Sequence, residues 1–186
     1  MKAFIIHGTF GHPQENWFPW LKEELEKLGF EVFVPAFPTP EGQSLESWMR
    51  AFEEFLPKVD WETIFVAHSI GPAFVLSVLE RLEKPVKACF FVSGFVGSLG
   101  KREFDEFNDD IAKREFDWSK IRKNCGRFFL FHSDNDPYVP VEKARNLGRL
   151  LGARPIIVKG AGHFNEKAGY KEFPLLLEKI REFVRL

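Results

Sequence analysis

Six short apolar runs constrain what this chain can fold into more than any other feature. Residues 3–6, 32–34, 64–67, 88–92, 128–131 and 155–158 are continuously apolar or nearly so, with no polar–apolar alternation. A strand with one wet face alternates, whereas a strand covered on both faces does not. Between the runs lie segments of helical period. Trp17, Leu21, Leu25 and Leu28 share one face, and Gly29 supplies a stop. Leu45, Trp48, Met49, Phe52 and Phe55 form a second face, with Ser44 placed as an N-cap. Val75, Val78, Leu79 and Leu82 form a third, with Pro72 tolerated in its first turn. Val141, Ala144, Leu147 and Leu150 form a fourth, closed by Gly152, and Phe173, Leu176, Leu177, Ile180 and Phe183 the last. Strands alternating with helices predict a three-layer α/β/α fold with a mostly or fully parallel sheet of about six strands. In such sheets ligands bind beyond the carboxyl ends of the strands, so functional residues are sought there.

The 186 residues fit one domain with one continuous core. The 22 phenylalanines point to a core of packed rings. A net charge of −1 with mixed signs offers no basic stripe for nucleic acid. Cys89 and Cys125 read as two reduced thiols. No apolar run is long enough to span a membrane, and Met1 leads straight into a strand, so the cytoplasm is the expected location. One segment, 98–123, breaks the strand–helix rhythm with a highly charged stretch in which Lys-Arg-Glu-Phe-Asp occurs twice. It reads either as a small helical cap over the strand ends or as a solvated excursion.

Three strand ends carry candidate chemistry. The run 64–67 leads into Ala67-His68-Ser69-Ile70-Gly71 and then a helix, the strand–turn–helix context of a nucleophile elbow. Small residues two before and two after Ser69 let strand and helix approach closely. Ala67 stands where the motif usually has glycine. A serine needs a base, and His163 in Gly160-Ala161-Gly162-His163-Phe164, after the last strand, is the candidate. The base needs an acid to orient it. Asp134 and Asp136 both follow the run 128–131. Asp136, directly before Pro137, is preferred, and Asp134 competes as a residue that bonds within its own loop. The order Ser69, Asp136, His163 is nucleophile, acid, base, as α/β-hydrolases have it.

The first run ends in His7-Gly8-Thr9-Phe10-Gly11, a loop whose N–H groups can face an oxyanion. Thr9 is the first choice of donor, with Phe10 next, and Ile70, after the nucleophile, supplies the other. His7 reads as a brace for this loop, and His68 as a residue packed behind the serine. Phe10, Trp17, Phe95 and Tyr138 are candidate pocket walls, although core packing explains rings equally well. Neither a phosphate-binding loop nor a metal-ligand spacing is present, so no cofactor and no metal are expected.

With these pieces, together with Gly11-His12-Pro13, Asn16-Trp17-Phe18-Pro19-Trp20-Leu21 and Asn135-Asp136-Pro137-Tyr138-Val139-Pro140, the chain resembles the small serine hydrolases of the YdeN and retinoblastoma-binding-protein-nine type along nearly its whole length. The resemblance implies a minimal α/β-hydrolase, one domain over residues 1–186, lacking the first two strands of larger members. It implies Ser69, Asp136 and His163 as the triad. It does not supply a substrate. The expected activity is carboxylesterase-like hydrolysis of a small-molecule or peptide-like acyl substrate, thioesters and amides included. The alternative is a non-catalytic module of the same fold that acts through a protein partner, and three intact groups in order argue against it. A dehalogenase would want an acid at position 69.

Overall fold

The computed structural model describes residues 1–184, which contain six strands and seven α-helices. The strands are β1 (Lys2–Ile6), β2 (Glu31–Phe33), β3 (Thr63–His68), β4 (Ala88–Val92), β5 (Phe128–Ser133) and β6 (Pro155–Val158). They form one sheet in the order β2-β1-β3-β4-β5-β6, and every pairing is parallel. All carboxyl ends therefore lie along one edge. From β1 the chain steps outward to β2, then returns to the other side of β1 and runs on from β3 to β6. The reversal makes a crevice between the ends of β1 and β3.

The two faces of the sheet explain the unbroken apolar runs. Ala3, Ile5, Ile64, Val66, Phe90 and Val92 point into one core. Phe4, Ile6, Phe65, Ala67, Cys89 and Phe91 point into the other. Helices α1 (Phe18–Lys27) and α7 (Pro174–Val184) cover the first face through Leu21, Leu25, Leu176 and Ile180. Helices α2 (Leu45–Phe52), α3 (Gly71–Leu79) and α6 (Val141–Leu151) cover the second. Both faces of the central strands are dry, so their middle residues are apolar. Strands β3 and β5 run on past the apolar residues to His68 and Ser133, because the backbone ladder continues to Val92 and Val158.

Helix α3 is buried along its entire length, which suits a helix that is apolar all round. Its Phe74 ring meets Phe37, Trp48 and Phe52 with centroids 5.0–5.7 Å apart. This cluster houses part of the phenylalanine excess. Burying each such ring contributes roughly 1.5–3 kcal/mol.

The charged segment 98–123 holds two helices with different surroundings. Helix α4 (Arg102–Ala112) lies at the carboxyl edge and buries Asn108, Ile111 and Ala112. Helix α5 (Trp118–Lys123) packs on α3 and α6 and puts Ile121 into the core. Cys89 and Cys125 are buried free thiols. Among the described residues no helix is long and apolar enough to cross a membrane.

Helix α2 starts with a reciprocal cap. The Ser47 N–H donates to Ser44 Oγ at 3.0 Å, and the Ser44 N–H donates to Ser47 Oγ at 3.0 Å. Ser44→Ala removes the first of these bonds. It is expected to cost about 1 kcal/mol and to lower the melting temperature by roughly 2–4 °C in calorimetry. An unchanged melting curve would show that water replaces the cap.

Candidate active site

Ser69 sits on the turn between β3 and α3 with φ +60°. A side-chain-bearing residue held there costs about 1–3 kcal/mol and persists only where its surroundings impose it. The Ser69 N–H is anchored on the Val92 carbonyl at 2.9 Å. A Cβ on Gly71 would lie 3.0 Å from the carbonyl oxygens of both Ile6 and His7, and one on Gly8 would lie 2.8 Å from Ser69 Cβ. These two glycines let α3 and the loop after β1 close tightly around the serine. Ala67 is fully buried, and its methyl packs in the second core.

Asp136 and His163 are joined directly. His163 Nδ1–H donates to Asp136 Oδ2 at 2.8 Å, and Ser93 Oγ donates to the same oxygen at 2.8 Å. The Tyr138 and Val139 N–H groups donate to Oδ1 at 2.9 and 3.0 Å. The Asp136 side chain is 0% exposed. Burial pushes its carboxyl up, but the bond and charge of His163 and the two N–H donors outweigh that and hold it below the usual carboxylate value. The Asp136 bond fixes the proton of His163 on Nδ1 and leaves Nε2 with its lone pair. Asp134 does something else: its Oδ1 accepts the Gly160 N–H at 2.8 Å. Asn135 Oδ1 accepts the Gly162 N–H at 2.8 Å, and Ser133 Oγ the Ala161 N–H at 2.9 Å. Together they clamp the loop that carries His163.

The other buried histidines brace the backbone. The Phe37 N–H donates to His7 Nε2 at 3.0 Å, so Nδ1 carries the proton and donates to the Gly8 carbonyl at 2.8 Å. His68 Nε2–H donates to the His163 carbonyl at 2.8 Å, and the two rings lie 4.7 Å apart. His132 Nε2–H donates to the Val139 carbonyl at 2.9 Å, and its buried Nδ1 has no partner among the described residues. Burial pushes all three below the ordinary histidine value, His68 to about 3, so they are neutral near pH 7.

Among the described residues the N–H groups of Thr9 and Ile70 have no hydrogen-bond partner. The Phe10 N–H donates to Thr39 Oγ1 at 2.8 Å, which removes Phe10 as an oxyanion donor. Ser69 and His163 line one cavity of about 620 Å³. Its walls include Leu99, Phe104, Tyr138 and Val139, and the polar His12, Glu15 and Asn165. Burial raises the Glu15 carboxyl above its usual value. Phe10 also lines this cavity. Trp17 and Phe95 do not. Trp17 is fully buried and donates Nε1–H to the Phe164 carbonyl at 2.9 Å, and Phe95 lies in the core among α3 and its neighbours. Ser69 Oγ makes no hydrogen bond among the described residues. Such bonds often tighten only when substrate is bound. Among the described residues no three His, Cys, Asp or Glu side chains gather in a metal-binding group.

The model of the family described as serine hydrolase matches residues 3–182. The chain belongs to the serine hydrolase family. It is similar to YdeN of Bacillus subtilis, 28% identical over 98% of this chain and 95% of that one. It is equally similar to the serine hydrolase RBBP9 of Rattus norvegicus, 28% identical over 98% and 95% of the two chains. The crystal structure of Bacillus subtilis YdeN superposes with a TM-score of 0.92 at 27% identity, covering 100% of this chain and 99% of the other. The fold is that of the α/β-hydrolases.

Around this candidate site, three bonded residues carry no sequence motif. Ser93, at the end of β4 with φ +50°, bonds Asp136. A polar residue closing an apolar strand was the available signal. Asn108 and Gln43 bond Thr9 from distant parts of the chain, and no local pattern points to them.

The depressed His68 value has a direct consequence for acid stability. The unfolded chain takes a proton on His68 below about pH 6.5, whereas the folded chain resists it down to about pH 3. Stability is therefore full above about pH 6.5 and falls as pH drops towards 3, by up to about 1.4 kcal/mol per pH unit from this group. His68→Gln, which keeps an N–H donor, is expected to flatten urea-unfolding free energies across that window. A slope equal to wild type would show that His68 titrates freely in the folded state.

Proposed function

We propose that this chain hydrolyses carboxylic esters through a covalent acyl-enzyme, with Ser69 as nucleophile, His163 as base and Asp136 as the orienting acid. The observation that carries this reading is the 2.8 Å bond from buried Asp136 to His163, which lines the same cavity as Ser69 on its strained turn. His163 Nε2 takes the Ser69 proton as Oγ attacks the substrate carbonyl carbon. The carbonyl π electrons move onto oxygen, where the Thr9 and Ile70 N–H groups stabilise the charge. The intermediate collapses, the C–O bond to the alcohol breaks, and His163 returns its proton to the leaving oxygen. Water, deprotonated by His163, repeats the attack on the acyl-enzyme, the bond from the acyl carbon to Ser69 Oγ breaks, and His163 returns the proton to Oγ as the acid leaves. Asp136 stays ionised throughout and stabilises the transient imidazolium. Thioesters and amides place the same demands on these groups.

The cavity supports a substrate of modest size. Leu99, Phe104, Tyr138 and Val139 offer an apolar wall for an acyl chain or ring. His12, Glu15 and Asn165 offer hydrogen bonds to a polar remainder.

Fluorophosphonate labelling and turnover of p-nitrophenyl acetate test the reading. Wild type is expected to label and turn over, and Ser69→Ala to do neither. Asp136→Asn should lower kcat by up to about 10⁴-fold, because the histidine then adopts the wrong tautomer. Asp134→Asn should cost far less, since it loosens a loop and leaves the tautomer alone. Labelling of Ser69→Ala equal to wild type, or an Asp134→Asn defect larger than that of Asp136→Asn, would overturn the assignment.

A further inference from the structure

Helix α4 is tied to the Thr9 loop by hydrogen bonds that converge on Gln43. Gln43 Nε2 donates to Thr9 Oγ1 at 3.0 Å and to the Phe107 carbonyl at 2.8 Å. Its Oε1 accepts from Thr39 Oγ1 at 2.7 Å, and Thr39 Oγ1 in turn accepts the Phe10 N–H at 2.8 Å. Thr9 Oγ1 passes its own proton to Asn108 Oδ1 at 2.5 Å. The directions are set by backbone groups at both ends. The Phe10 N–H can only donate, and the Phe107 carbonyl can only accept, so the amide orientation of Gln43 is determined. Asn108 is 4% exposed, so its acceptor has little access to water.

We propose that Gln43 is a positioning residue, which acts with Asn108 to hold Thr9 so that its N–H faces the reacting carbonyl. The inference rests on the hydrolase reading above. Thr9 lies outside helix and strand, so no ladder fixes its N–H. An oxyanion donor works only within a narrow range of distances, about 2.7–3.1 Å from the charge. Apolar packing is non-directional and does not aim an N–H group, whereas a hydroxyl held as both donor and acceptor fixes the residue that bears it. Gln43 and Asn108 supply both partners, one from the segment before α2 and one from α4. The Phe10 ring against Phe107, 5.3 Å between centroids, closes the same contact from outside. The helix over the strand ends is thereby a part of the oxyanion loop's support as well as a wall of the cavity.

The test compares Gln43→Ala, Asn108→Ala and Asn108→Asp with wild type on p-nitrophenyl acetate, together with the rate of fluorophosphonate inactivation. The aspartate keeps the acceptor oxygen for Thr9. Both alanine variants are expected to lose roughly 10–100-fold in kcat and in inactivation rate, short of the full loss of a donor. KM should stay within about twofold, the sign of an interaction realised in the transition state. Asn108→Asp should recover most of the loss. A raised KM at unchanged kcat would overturn the proposal and leave the network a mere cap fastener, as would Asn108→Asp as slow as Asn108→Ala. Thermal unfolding checks that each variant folds. If the alanine variants do not, Thr9→Val against Thr9→Ser asks the same question, with the serine expected to be active and the valine slow. Active wild type with unimpaired variants removes only the positioning role. Wild type that neither labels nor turns over removes the hydrolase reading itself, and this inference with it.

Discussion

The buried carboxylate of Asp136 is the interaction on which the rest of the site depends. An ionised carboxylate without partners is among the costliest groups to bury. Here each oxygen accepts two hydrogen bonds, from Ser93 and His163 on one side and from Tyr138 and Val139 on the other. The donors come from the end of β4, the loop after β5 and the loop after β6. The carboxylate is satisfied only when three strand ends stand in their parallel register, so the charge and the fold enforce one another. Withdrawing one donor would leave buried charge short of a partner, which costs more than a hydrogen bond gains.

A steric constraint complements this electrostatic one. The loops after β1 and β3 diverge at the point where the strand order reverses, and they leave that point in near contact. Gly8 lies against Ser69, and Gly71 against the last carbonyls of β1. The left-handed turn of Ser69 is closed in by Gly8 and Gly71, where a side chain would have no room, and it leads into the fully buried α3. Strain at residue 69 is sustained because the two apolar cores hold strand and helix in place.

How much of this was legible in the chain follows from which interactions are local. Strands buried on both faces read as unbroken apolar runs, so the six-strand sheet and its carboxyl edge were recoverable. That Ser69, Asp136 and His163 stand at the carboxyl edge of the sheet was also legible, because each follows a strand within a few residues. The competition between Asp134 and Asp136 was not decidable from spacing, since both lie in one loop. In the structure one bonds the Gly160 N–H and the other the His163 ring. Trp17 and Phe95 lie in the cores and not on the pocket, and in sequence a ring in a core and a ring in a pocket look alike. Ser93, Gln43 and Asn108 act through bonds to residues 43, 34 and 99 positions away, for which no motif exists.

The histidines show how one residue type divides into two kinds of work. His7, His68 and His132 each spend a ring N–H on a backbone carbonyl, and burial keeps them neutral. A neutral ring with a fixed tautomer is a directional strut, and these struts end on Gly8, His163 and Val139, all residues of the site's loops. His163 alone places its N–H on a carboxylate. The partner of the ring N–H distinguishes the two kinds. A carbonyl dipole is too weak to offset the burial of imidazolium, so those three rings stay neutral struts. The apolar sheet, the glycine contacts and the neutral histidines hold His163, bonded to Asp136, on the same cavity that Ser69 lines.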